Sequence, residues 1–247
     1  MWKSVFGALL TMLSFAFAQP DTANVNGEQV SNEPAASAND ITIVQNILDQ
    51  CGITDRKASD AAVYENGRAI SLDLSNKDVT KDGFKTLPAD IGKLSGLQTL
   101  ICKNNSLTSI PSDLFNCGQL KKIDFNSNSI SELPLEIGRL SNLIDIDLRY
   151  NEIESLPYTI GNLKSLRYLR LWGNLIKTID GAVTSLPALE ELYLKGNRIT
   201  TLPIDITRMK SLKYIDVEGN KLCDIAPQVD TWLKTKNKSY RQGQKCW

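Results

Sequence analysis

Asparagine stands at positions 105, 128, 151, 174, 197 and 220, each 23 residues after the last. Self-similarity at a fixed period of this size is the signature of a solenoid. The stretch from Leu143 to Ser165, LIDIDLRYNEIESLPYTIGNLKS, shows the unit. Its leucine-type residues fall at places 1, 4, 6, 11, 14, 18 and 21 (Leu143, Ile146, Leu148, Ile153, Leu156, Ile160, Leu163), with Asn151 at place 9 and Pro157 at place 15. One such unit cannot bury its own apolar face, so the units must stack. Side chains alternate faces along a strand, so places 4 and 6 point into the core and places 3, 5 and 7 point outward, over a parallel sheet with rungs about 4.8 Å apart. The place-9 amides carry both a donor and an acceptor, enough to satisfy backbone groups where the chain leaves the strand. Leu-Pro at 87–88, 133–134, 156–157 and 202–203 and Ile-Pro at 110–111 put proline's fixed φ on the convex return, where no ladder bond is required. Asp180 takes proline's place in the fifth unit, and a five-residue insertion around Thr80 to Phe84 displaces Leu87 in the first.

These places resemble the leucine-rich repeat family, in the 23-residue LxxLxLxxNxIxxLPxxIxxL form seen in many bacterial proteins, over residues 69–222 in about seven units. The resemblance implies an α/β solenoid, a leucine-rich repeat horseshoe with a parallel concave sheet that serves as a binding scaffold.

The flanks predict export and two caps. Residues 1–18 join Lys3 to an apolar run from Val5 to Phe17, ending in Ala16-Phe17-Ala18 before Gln19. That run is shorter than the roughly 20 apolar residues of a membrane span, so it reads as a cleaved secretory signal. No second apolar run follows, so the expectation is a secreted, periplasmic or cell-surface protein with no integral membrane segment after signal removal. Residues 19–39, rich in Asn, Ala, Ser, Glu and Pro, read as a disordered spacer. Residues 40–68 read as an N-terminal cap of helix plus hairpin. Asp40 opens a helix carrying Ile41, Val44, Ile47, Leu48 and Cys51 at helical spacing and ending at Gly52. Asn66-Gly67 then turns a hairpin whose first arm closes the edge of the first solenoid strand. Among five cysteines, Cys102 and Cys117 take inward places and Cys51 lies on the inner face of the cap helix, so all three read as small buried hydrophobes. Cys223 and Cys246 bracket a segment in which Val229, Trp232 and Leu233 form a short amphipathic helix. This pair, with its Trp-Leu helix and near-terminal Cys-Trp, resembles the cap of exported bacterial leucine-rich repeat proteins. The resemblance implies a disulfide-linked C-terminal cap over 223–247.

Composition limits function. The 28 basic and 28 acidic side chains balance, which gives no reason to expect nucleic acid, and the absence of histidine removes Ser-His-Asp and Cys-His chemistry and imidazole metal sites. Asp124, Asp145 and Asp147 could bind Ca²⁺ through oxygen ligands, but Lys122, Arg149 and Arg170 lie alongside, so ion pairing is the preferred reading and no metal or cofactor is expected. An open sheet offers those carboxylates no desolvated pocket, so no enzyme is expected. Tyr168, Trp172, Tyr193 and Tyr214 share the concave face with Arg149 and Arg170 on the last rungs, and Tyr193 lies diagonal to both Tyr168 and Trp172. Exposed Tyr, Trp and Arg are what interface hot spots are made of. The expectation is an exported, non-catalytic recognition scaffold for a protein partner on the concave face. The second reading is a carbohydrate-binding module using the same aromatic residues. Sequons at Asn104 and Asn237 matter only in a glycosylating host.

Overall fold

Only three residues of each regular repeat lie in a strand, and on four rungs an aspartate at the strand's end bonds the backbone just beyond it. In the computed structural model, which describes residues 40–78 and 82–246, the aspartates at place 5 accept from the N–H two residues on: Ser75 to Asp73 at 2.9 Å, Asn126 to Asp124 at 3.2 Å, Arg149 to Asp147 at 3.1 Å and Glu218 to Asp216 at 3.1 Å. This Asx geometry fixes the backbone just after the strand on those four rungs, while three other strands end at the same place with Ile101, Arg170 and Tyr193 there. The predicted signal (1–18) and spacer (19–39), part of the first-repeat insertion (79–81) and Trp247 lie outside the described residues.

Among the described residues, eight strands form one sheet in chain order: β1 (Ala62–Glu65), β2 (Arg68–Asp73), β3 (Thr99–Ile101), β4 (Lys122–Asp124), β5 (Asp145–Asp147), β6 (Tyr168–Arg170), β7 (Glu191–Tyr193) and β8 (Tyr214–Asp216). β1 pairs antiparallel with β2, through a turn in which Asn66 and Gly67 both adopt positive φ, as a type I′ hairpin requires. Every later pair is parallel and in register by repeat place, as in Thr99↔Lys122 and Asp145↔Tyr168. Places 4 and 6 are fully buried throughout, from Leu72 and Leu74 to Ile215 and Val217.

On the convex return, Pro88, Pro111, Pro134, Pro157 and Pro203 stand at φ between −68° and −60°, each opening a five-residue 3₁₀ turn. The fifth unit differs for a visible reason. Asp180 accepts from Ala182 N–H at 2.9 Å and caps a short α-helix, α3 (Gly181–Thr184), so a side-chain cap replaces the preset proline φ. The repeats are held edge to edge by the asparagines. Asn174 accepts from Ile153 N–H at 3.0 Å while its amide donates to the carbonyls of Leu148 (2.9 Å) and Leu171 (3.0 Å). Asn151, Asn197 and Asn220 repeat this pattern one rung away at a time.

The N-terminal cap is α1 (Asp40–Gln50), the short α2 (Ala58–Ala61) and the hairpin. Val44, Ile47 and Leu48 are buried, and Gly52 follows with positive φ. Two details differ from expectation. Ile41 lies mostly off the buried face, at 38% exposed, and Asp40, itself buried, accepts from Ala69 N–H at 2.8 Å, tying the helix start to β2. At the other end α4 (Pro227–Lys236) buries Val229 and Leu233 while Trp232 stays half-buried, and Cys223 is bridged to Cys246 with Cα atoms 5.5 Å apart. The cap then extends the ladder. Gly219 N–H donates to Gln242 at 2.9 Å, Lys245 N–H donates to Asn220 at 2.7 Å, and Gln244 takes the role of the next asparagine, accepting from Leu222 N–H and donating to Val217, both at 2.9 Å. The other three cysteines are free. Burial pushes the thiols of Cys51 and Cys117 up to about 12 and that of Cys102 well above its usual value, although Cys51 is only half-buried rather than on a closed inner face. No helix among the described residues is long and apolar enough to cross a membrane.

Candidate functional site

The concave surface of the last three rungs is a grid set by register. Tyr168, Arg170 and Trp172 occupy one rung, Glu191, Tyr193 and Lys195 the next, and Tyr214, Asp216 and Glu218 the last, with Tyr168 opposite Glu191, Arg170 opposite Tyr193, Glu191 opposite Tyr214 and Tyr193 opposite Asp216. The structure brings all four predicted aromatic residues to one half-buried face, and the diagonal ring contact that Tyr193 makes is with Tyr214 rather than with Tyr168 or Trp172. Tyr193 packs against Tyr214, with ring centroids 5.5 Å apart, and Arg170 stands between Tyr168 (5.4 Å) and Tyr193 (5.9 Å). The guanidinium between the Tyr168 and Tyr193 rings is attracted to both and keeps those two rings apart.

Trp172 turns to the rim. It pairs with Tyr150, with centroids 5.6 Å apart, and Lys195 lies over its ring at 5.6 Å. Tyr150 sits at place 8, where the chain is left-handed (φ 53°), and later repeats supply Gly173, Gly196 and Gly219 there. An aromatic residue in that region is a conformational outlier. Its ring lies on Gly173, where a Cβ would stand 2.9 Å from it, so the next repeat's glycine is what leaves it room. Sequence reasoning passed over Tyr150 because place 8 was assigned no face. The signal was a bulky residue where the frame otherwise holds Asn, Ser or Gly.

The predicted carboxylates form ion pairs, two of them nearly out of solvent. Asp124 (5% exposed) takes Lys103 at 3.2 Å, Asp147 (4%) is held by the Arg149 guanidinium at 2.6 to 3.0 Å, and Asp145 takes Lys122 at 3.5 Å as well as Arg170. The predicted binding residue Arg149 is thus engaged within its own rung, and its guanidinium is raised in pKa by Asp147. Sheltered pairing replaces the solvent-exposed pairing read from alternation, because the long cations fold over the short acids. Further along, Lys195 binds Glu218 at 2.9 Å. Tyr193 donates its hydroxyl to Glu191 at 2.7 Å, and that bond to a carboxylate pushes the phenol up to about 12. Asp216 is raised, chiefly by burial. The Asn237 sequon is buried, its carbonyl oxygen accepting from Ser239 N–H at 2.9 Å, whereas Asn104 is exposed.

Beside the grid, Glu190 joins Arg167 and Lys213, both at 2.6 Å, and these bonds hold its carboxyl down at about 2. A carboxylate depressed in the folded state stabilises above its unfolded value near 4.3, and that contribution is lost as pH falls through the folded value. The melting temperature of the wild type should therefore exceed that of Glu190→Gln at pH 6, with the gap closing between about pH 4.3 and 2. A gap that is constant across that window refutes the linkage. A depression of about 230 Å³ lies at the other end of the array, between the α1 terminus and the first-repeat insertion, lined in part by Cys51, Ile53, Arg56 and Phe84. The aromatic grid, by contrast, is an open surface, which suits an extended partner better than an enclosed small molecule.

Residues 165–222 match the leucine rich repeat family. A leucine-rich repeat protein of Leptospira interrogans has a similar structure over 62% of this chain and 38% of its own, at 38% identity and a TM-score of 0.58. The fold is a leucine-rich repeat solenoid with a disulfide-linked C-terminal cap. The plant peptide hormone receptor RGFR1, in complex with RGF2, resembles this repeat protein over 61% of the chain and 25% of its own length (30% identity, TM-score 0.54). The repeat ectodomain of the Arabidopsis thaliana receptor kinase GASSHO1/SCHENGEN3, in complex with Casparian strip integrity factor 2, does so over 67% and 20% (29% identity, TM-score 0.58). The repeat protein therefore spans well under half the length of these three relatives. No curated protein matches it in sequence.

Proposed function

We propose that this leucine-rich repeat protein is an exported, non-catalytic scaffold that binds a protein or peptide segment along the concave face of its last three rungs. The observation that carries this reading is the grid itself. Tyr168, Arg170, Trp172, Tyr193 and Tyr214 are partly exposed, held in place by neighbours of fixed register and flanked by Tyr150, and such pre-ordered rings and guanidinium groups lose little freedom when a partner covers them. One plant receptor of similar fold is a peptide hormone receptor in complex with RGF2 and the other is in complex with Casparian strip integrity factor 2, which favours a protein or peptide partner here. Export rests on the apolar segment before Gln19 and agrees with the Cys223–Cys246 bridge. The carbohydrate reading depends on an open Trp172 face, and Lys195 and Tyr150 already occupy the surroundings of that ring.

The test pairs outward and inward substitutions. With a partner captured by the mature protein, Trp172→Ala and Tyr193→Ala should each weaken binding by about 2 kcal/mol with little change in melting temperature. Leu171→Ala, fully buried one residue away, should cost roughly 2 to 5 kcal/mol of stability instead. Unchanged binding in both aromatic variants would remove the concave grid from recognition.

A further inference from the structure

A recurring arrangement places a cation between an aromatic ring and a carboxylate. Arg167 lies 5.5 Å from the Tyr168 ring and bonds Glu190; Arg170 lies over Tyr168 and Tyr193 and bonds Asp145; Lys195 lies over Trp172 and bonds Glu218; Arg241 lies 5.3 Å from the Tyr240 ring and bonds Asp230. The physical reason is common to all four. The ring's negative face and the carboxylate attract the same charge. At the end of the concave face the arrangement is incomplete. Tyr214 packs on Tyr193, with Glu191 opposite the first and Asp216 opposite the second, yet among the described residues no lysine or arginine pairs with Glu191 or Asp216 or lies over the Tyr214 ring. Lys195 acts on Asp216 and Tyr214 only through its field, its ammonium being bonded to Glu218.

We infer that the Glu191–Tyr193–Tyr214–Asp216 surface is a subsite for a lysine or arginine side chain of the bound segment, the partner supplying the cation that the other clusters hold internally. This rests on the concave-face reading above and names the chemistry of its occupant. The charge is available for it. Glu191 uses one oxygen on the Tyr193 hydroxyl and Asp216 one on the Glu218 N–H, so each carboxylate keeps lone pairs for a donor from outside. Among the described residues no cation bonds the half-buried Asp216, and its pKa, raised chiefly by burial, agrees with a negative charge that a cation would relieve. The Tyr193 ring is occupied by Arg170, which leaves Tyr214 as the face open to the incoming group. Both acids lie in the strands themselves, so a basic side chain entering here fixes the register of an extended segment against the rungs.

The experiment is selection of random linear peptides displayed against the full chain, followed by affinity measurement on the wild type, Trp172→Ala and a Glu191→Gln/Asp216→Asn double variant. Both amides keep the acceptor oxygens used by Tyr193 and by Glu218 N–H, so the double variant should melt like the wild type. The expected result is a shared lysine or arginine in the selected peptides. Replacing it with norleucine or citrulline should weaken binding to the wild type about tenfold, and should change little on the double variant. Peptides that lose affinity on Trp172→Ala but share no basic residue, or that bind the double variant equally well, overturn the cation subsite and leave concave binding standing. Failure to select any peptide, or selection of peptides indifferent to every concave substitution, overturns both.

Discussion

Asn174→Ala is expected to lower the unfolding free energy by about 3 kcal/mol, a loss set by where the asparagine's bonds go. Its oxygen is the acceptor for Ile153 N–H, a buried group that would be left unpaired, and an orphaned buried donor costs about 1–3 kcal/mol by itself. The two carbonyls it serves, Leu148 and Leu171, each receive a second asparagine amide, from Asn151 and Asn197, so their loss is smaller. Asn174→Asp tells the two halves apart. It keeps the acceptor for Ile153 but turns a negative oxygen toward two carbonyls at 3% exposure, so it should be worse than alanine at neutral pH and recover as the carboxyl protonates. Chemical denaturation of the two variants at pH 7 and 4 measures this. A loss below 1 kcal/mol for alanine would show that water replaces the ladder.

Opening the Cys223–Cys246 bridge should cost about 3 kcal/mol, because a closed loop of 23 residues removes that much chain entropy from the unfolded state. The loss should first appear locally. The cap meets the last rung through Gly219 N–H to Gln242, Lys245 N–H to Asn220 and the two Gln244 side-chain bonds, and the bridge keeps that returning segment close. In a Cys223→Ser/Cys246→Ser variant, hydrogen exchange at Gly219, Leu222 and Lys245 should accelerate well before that at Leu169 or Leu171 in the middle of the array. Uniform acceleration along the repeats would mean that the cap and the array unfold as one unit. Unchanged exchange would mean that the bridge adds nothing to the ladder.

The repeat frame was legible because it is redundant. Each core place is occupied six or seven times by the same chemical type, and a residue such as Leu148 or Leu171 is buried by neighbours that are copies of itself, so its environment follows from its own place number. The Asn66-Gly67 hairpin was legible for a local reason, since the turn's positive φ values select those residues. The bridge was expected from a resemblance, and the structure contains it. Concave pairing was not legible. The places of Tyr168, Trp172 and Tyr193 say which face they share, but a long side chain reaches several partners, and Arg170 inserting between two rings decided which contacts form. Nor could Gln244 be recognised as the next ladder amide, since it stands 24 rather than 23 residues after Asn220 and joins the array only after α4 has folded back.

The sequence by itself thus determined the solenoid, its core places and its amide ladder, because periodic chemistry repeated along one axis defines its own surroundings. Only the tertiary structure decided how the non-repeating residues meet: that Tyr150 leaves the frame to cover Gly173 and pair with Trp172, that Asp124 and Asp147 are folded under Lys103 and Arg149, and that no cation among the described residues bonds Glu191 or Asp216. Those outcomes depend on reach and competition among side chains from neighbouring rungs, which no single place in the repeat encodes.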